Sequence, residues 1–213
     1  MPDQLHLGLE PAVPSPGQAE IAPMLPVLRR DAFSSAEFAF TPSFGGRRML
    51  VRVGADIPAS GVVVPAASAL LDAELVAVDG AGRPSPSGPI SALLAFDLLY
   101  LDGVWLLPRP LSKRLVALDR LLEPARSSGV VALPWVAADG LSVHAAATAG
   151  GLAGVLARRL SSPYLPGVRS RLWRFVPAGS PVTGSDEAGE AGEAAAASPV
   201  LTMMRRLPLD FGE

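Results

Sequence analysis

SALLAFDLLYLDG, residues 91–103, followed by PLSKRLVALDRLLEP, residues 110–124, is the stretch on which the fold turns. Residues 92–101, rich in Leu with Phe, Ala and Tyr and broken only by Asp97, have the composition of a buried strand. Residues 110–124 change to helical spacing. Leu111, Leu115, Leu118 and Leu122 fall on one face, Ser112 offers an N-cap and Pro124 a stop. A strand that leads into an amphipathic helix predicts a domain mixing both element types.

Working outward, residues 73–79 read as a strand, joined to 92–101 across VDGAGRPS (78–85), which has the Gly and Pro punctuation of a hairpin. Before it, FAFTPSFGGRRMLV (38–51) reads as a strand over 36–41, a Gly45-Gly46 bend and a second strand over 47–53. Toward the other end, a helix is expected over 139–149, closed by Gly150-Gly151, then strands over 152–159 and 171–176. The body is α+β. The ends differ. Residues 1–22 are Pro-rich and weakly patterned, and read as a flexible tail. Residues 178–213 open on a Gly/Ala/Glu-rich stretch and read as a low-complexity acidic tail. The expected domain is therefore 23–177.

Composition narrows the chemistry. No cysteine is present, which excludes disulfides, thiolate metal sites and thiol catalysis. His6 and His144 are far apart in sequence, which argues against a histidine metal site or a Ser-His triad. No apolar run approaches the roughly 18 residues of a membrane span. The N-terminus lacks the basic-then-apolar pattern of a secretory signal. A cytoplasmic protein without membrane contact is expected. Lys113 is the single lysine; every other basic residue is arginine. The net charge of −2 hides an uneven distribution, because residues 23–177 carry an excess of bases and both ends an excess of acids. A basic body suits phosphates, and a solvated surface accounts for it equally well.

Three phrases then align in order with a known family. LLDAELVAVDGAGRPS (70–85), FDLLYLDG (96–103) with its PLSKRLVALDRLL continuation, and AGVLARRLSSPYLPGVRSRLW (153–173) resemble successive motifs of the adenylation (nucleotidyltransferase) domain of bacterial ATP-dependent DNA ligases of the end-joining type. PMLPVLRR (23–30) resembles the family's opening. The resemblance covers about 23–177. It implies an ATP-grasp-like nucleotidyltransferase fold, with antiparallel sheets flanked by helices. It also implies ATP as cofactor, DNA as partner, and a place in DNA repair and recombination.

Such ligases attack ATP with a lysine in a K-x-D-G-x-R turn. Here that turn is Ser43, Phe44, Gly45, Gly46, Arg47, Arg48, so Ser43 stands at the lysine position and Gly45 at the acid. A hydroxyl needs a base to become nucleophilic, and neither a histidine nor the lost acid is near in sequence. The resemblance places Glu74 at the ribose contact, Phe96 at the adenine-stacking position and Arg158 at a phosphate-contacting lysine. Arg48 is retained from the turn. Ala153 replaces a metal-associated glutamate, so Mg²⁺ would be poorly held. The closing W-x-K-x-K reads Trp173, Arg174, Phe175, Val176, Pro177, with both lysines gone. VRVGADIPAS (51–60) stands where a further family phrase is expected, and nothing after 177 resembles the OB-fold that completes such ligases. The expectation is a catalytically impaired ligase-like protein, a pseudoenzyme binding nucleotide, DNA or a protein partner, with no catalytic residue and no metal ligand. A protein-interaction scaffold without a ligand pocket and an active ligase are the alternatives.

Overall fold

In the computed structural model the described residues are 21–54, 64–79, 85, 90–123 and 130–182. Among these residues ten strands and two helices follow in the order β1 (Leu25–Leu28), β2 (Ser35–Ser43), β3 (Arg47–Val53), β4 (Ala69–Val78), β5 (Ile90–Leu101), β6 (Val104–Trp105), α1 (Leu111–Leu122), β7 (Val130–Ala132), β8 (Val136–Ala138), α2 (Gly140–Ala149), β9 (Gly154–Arg159) and β10 (Arg169–Pro177). Two sheets form. One has the order β1-β10-β9-β2-β8; the other runs β3-β4-β5-β6, with β7 added alongside β5. The pairings are mainly antiparallel, but β1–β10 and β5–β7 are parallel, so both sheets are mixed.

The long central strands form because their apolar residues are buried on both sides. Leu71 and Ala73 of β4 and Ala95, Leu98 and Leu99 of β5 are all inaccessible to solvent or nearly so. One core layer packs sheet against sheet around Trp173, Phe96, Tyr164 and Met24. A second lies between the β3-β4-β5 sheet and α1, where Leu118, Leu121 and Leu122 meet Leu71 and Leu98. Burying one such leucine is worth about 1.5–3 kcal/mol, so the stripe on α1 suffices to hold that helix down. The leucine face of α1 is the expected one, while its N-cap is Pro110 rather than Ser112 and makes no side-chain cap. Pro124 lies outside the described residues. In α2, Asp139 caps the helix by accepting from the Ser142 N–H at 3.1 Å.

Beyond the expected body, Ile21 packs on the core and the Gly167 N–H donates to the Ala22 carbonyl at 3.0 Å. Residues 178–182 also carry body contacts: the Ala178 N–H donates to Ala153 at 3.0 Å, and Val182 bridges Ala32 in parallel. The hairpin expected at 78–85 joins β4 to β5, whose pairing reaches Val78↔Ile90; most of the connection lies outside the described residues. Among the described residues no helix is long and apolar enough to cross a membrane.

Candidate nucleotide site

The FGG bend is not a hairpin. It carries the chain from β2 in one sheet to β3 in the other, so Ser43 sits where the two sheets converge. Its two glycines serve different ends. Gly45 has φ +80°, a left-handed conformation that side chains rarely adopt. A Cβ on Gly46 would lie 2.3 Å from the Leu75 carbonyl oxygen, so the close approach of the bend to β4 requires glycine there as well.

That approach brings Glu74 of β4 into the bend. Its Oε2 accepts the Phe44 N–H at 3.0 Å and its Oε1 accepts the Ser43 hydroxyl at 3.3 Å. Burial pushes the Glu74 carboxyl above its ordinary value; the backbone N–H groups of Phe44, Gly45 and Gly46 and the Ser43 hydroxyl pull the other way without cancelling it. The acid that the local sequence around Ser43 lacks is thus supplied by another strand. Glu74 is 31 positions away in sequence and in contact in space. At 3.3 Å the contact is long for a hydroxyl donor.

A cavity of about 110 Å³ opens beside this pair. Ser43, Glu74, Arg48 and Phe96 all line it, together with apolar side chains including Leu133, Leu156 and Phe175. Four of the five residues singled out in the sequence thus meet in one place. The fifth, Arg158, lies behind that wall and has no accessible surface. Its guanidinium donates to the Phe96 carbonyl and to Thr41 Oγ1 at 2.9 Å, and sits 3.9 Å from Asp97. Burial lowers its pKa to about 10, against the opposing charge of Asp97.

A buried ionic network that the sequence did not suggest supports the cavity. Asp72 on β4 and Asp97 on β5 are register partners, and both are fully buried. Arg48 grips Asp72 with two bonds, at 2.9 and 2.6 Å, and Tyr164 donates its hydroxyl to the same carboxylate at 2.6 Å. Burial raises the Asp72 pKa against the pull of Arg48. Arg114 of α1 grips Asp97 at 2.8 and 2.9 Å. Arg48 also lies 5.3 Å from the centroids of both Phe96 and Trp173. Asp72 and Tyr164 fall within the quoted motifs, but only the packing of the loop between β9 and β10 against β4 reveals that they meet.

The lining fits part of a nucleotide. Phe96, Leu133, Leu156 and Phe175 offer apolar surface to a base, and Glu74 offers an acceptor to a hydroxyl. It fits a triphosphate poorly, because Arg48, the one cation of the lining among the described residues, is already committed to Asp72. Lys113 is exposed on α1 and is not part of the lining. The donor set does not fit Mg²⁺ either. Among the described residues Glu74 is the only carboxylate of the lining, its two oxygens already accept from Phe44 and Ser43 and keep only their remaining lone pairs, and Ala153, exposed beside Gly45, has no side-chain oxygen to add.

Comparison with known proteins agrees with this architecture. Residues 85–174 match the model of the ATP dependent DNA ligase domain. A probable DNA ligase of Rhodococcus jostii is 39% identical over 127 residues, covering 53% of this chain and 25% of that protein. A DNA ligase of Methanoculleus marisnigri is 44% identical over 80 residues, covering 38% of this chain and 14% of that one. Among solved structures, the ligase domain of M. tuberculosis LigD superposes with TM-score 0.59 at 28% identity, covering 73% of this chain and 58% of that one. Mycobacterial DNA ligase D complexed with ATP and MES superposes with TM-score 0.61 at 27% identity, covering 74% and 60%. The chain thus spans about a quarter of the length of the Rhodococcus relative.

Proposed function

We propose that the body of this chain is the adenylation domain of a bacterial ATP-dependent DNA ligase in a catalytically silent form, a pseudoenzyme that keeps part of the nucleotide pocket and acts in DNA repair through binding. One observation carries the reading. At the bend where the resemblance calls for a lysine, Ser43 stands with its hydroxyl turned to Glu74, and no lysine lines the cavity. Phosphoryl transfer relies on a positioned nucleophile, a metal and a cationic clamp. Ser43, Ala153 and the committed Arg48 leave each of these roles unfilled. What the cavity keeps is the apolar wall and Glu74, which suit the base and ribose of ATP. DNA and a protein partner are the macromolecular ligands this reading allows, and the arginine-rich body favours a salt-sensitive DNA contact.

The Ser43–Glu74 contact favours a second reading, an active transferase with a serine nucleophile. In it Ser43 Oγ forms a bond to the α-phosphorus of ATP, the bond to pyrophosphate breaks, and Glu74 takes the hydroxyl proton. Incubation with ATP labelled on its α-phosphate separates the two. The silent reading expects no acid-stable label. A label that disappears in Ser43→Ala overturns it. Calorimetric titration with ATP, with and without Mg²⁺, is expected to show saturable binding in the micromolar range that is indifferent to the metal. No binding at millimolar ATP would replace the pocket reading with that of a scaffold.

A further inference from the structure

The face of the β1-β10-β9-β2-β8 sheet turned away from the cavity carries a ladder of arginines and aromatic rings. Alternation along β2 sends Thr41 and Ser43 to the cavity and Phe38 to the other face; along β10 it sends Phe175 to the cavity and Arg174 away. Phe33 and Phe38 meet edge to face at 5.4 Å. Arg29 lies 4.1 Å from the Phe33 centroid, Arg174 lies 5.2 Å from Phe33 and 4.7 Å from Phe38, and Arg159 lies 5.9 Å from Phe38. The rings hold three guanidinium groups close together.

The charges of this ladder are poorly balanced. Arg159 pairs with the exposed Glu37 at 2.6 Å. Arg29 spends its Nε on the Asp31 carbonyl and Arg174 its Nε on the Arg171 carbonyl, and neither has a carboxylate partner among the described residues. The Arg174 pKa is lowered, first by partial burial and then by Arg29, Arg159 and Arg171, with Glu37 opposing. A set of like charges held this way is completed by an anion with several charges.

The chain itself carries such an anionic segment within reach. Val182 bridges Ala32, and the Ala32 N–H donates to the Pro181 carbonyl at 2.8 Å. Because the bridge is parallel, Pro181–Val182 runs in the same direction as Ala32–Phe33. Four residues beyond Val182 begins DEAGEAGE (186–193), with Asp186, Glu187, Glu190 and Glu193 and no base. At about 3.3–3.6 Å per extended residue, the segment from Val182 to Glu193 reaches at most about 40 Å, far more than the ladder spans.

We propose that the acidic segment 186–193 of the same chain docks on the Arg29–Phe33–Arg174–Phe38–Arg159 ladder and covers it against other polyanions. This does not depend on the cavity, which lies on the opposite face. The test uses the full chain, which has no cysteine of its own, with a nitroxide attached through Ala188→Cys. At low salt the amide NMR signals of Arg29, Phe33, Arg159 and Arg174 are expected to broaden several-fold more than those of α1. The broadening should vanish at about 1 M salt, where the screening length falls to about 3 Å. It should also vanish when Asp186 becomes Asn and Glu187, Glu190 and Glu193 become Gln. Uniform weak broadening at low salt, or broadening that survives the neutral replacement, overturns the proposal. In a second measurement, the full chain with the neutralised segment is expected to bind labelled duplex DNA several-fold more tightly than the unaltered chain. Equal affinity of the two would mean that the ladder serves an external nucleic acid and that the segment does not cover it.

Discussion

Glu74 holds a carboxylate in a place that penalises its charge, and this gives a pH signature. Its folded pKa lies above the ordinary 4.5 because of burial. The folded protein therefore holds that proton more tightly than the unfolded chain does. The resulting stabilisation is complete below about 4.5 and is lost as pH rises through the folded value. Glu74→Gln keeps the shape and still accepts from Phe44, but it cannot titrate. The melting temperature of the natural protein minus that of Glu74→Gln is expected to fall as pH rises from 4 into the neutral range. A difference independent of pH would show that the carboxyl titrates as in water. At Tyr164, one hydroxyl donates to Asp72 and accepts the Met24 N–H at 3.0 Å. Tyr164→Phe leaves both partners buried and is expected to cost about 1–3 kcal/mol in urea denaturation.

At the scale of elements, Asp97 ties β5 to α1 and offsets two buried guanidinium groups, those of Arg114 and Arg158. Asp97→Ala leaves both uncompensated and is expected to destabilise by about 3–5 kcal/mol, measured by urea denaturation against the natural protein. A loss below about 1 kcal/mol would show that water reaches the pair. The elements legible in the sequence were those whose own residues decide them: the long apolar strands β4 and β5, and α1 through its leucine spacing. β1, β6, β7 and β8 were not legible. They are two to four residues long, and partners distant in sequence make them strands. The site divides in the same way. The bend and its missing lysine stand in a local motif, whereas the capture of Glu74 and the alignment of Asp72 with Asp97 follow from strand register. The resemblance implies a phosphate contact for Arg158 because it stands at the family's lysine; the packing of the two sheets seals it inside, where arginines are rarely found.

At the scale of the whole molecule, the two sheets are joined through Trp173, which is fully buried against Phe96 and Tyr164 at centroid distances of 6.4 and 5.5 Å. Trp173→Ala removes the largest side chain of that layer and is expected to cost about 3–5 kcal/mol. Since small domains hold only about 5–15 kcal/mol in total, the variant should unfold cooperatively at a markedly lower denaturant midpoint, with both helices lost together. Persistence of α1 after the loss of tertiary signal would show that the two core layers are independent.

The position of β10 also bears on how the chain is made. Among the described residues β1 is an edge strand whose only sheet partner is β10, and β10 in turn lies between β1 and β9. During synthesis the first strand must therefore wait for the last. Residues 25–28 emerge from the ribosome well before 169–177 exist to receive them, so their backbone groups stay in water or with a chaperone until nearly the whole body has been translated. Nascent chains stalled before residue 169 are expected to remain protease-sensitive at the N-terminal end, and resistance should be gained in one step once β10 has cleared the exit tunnel.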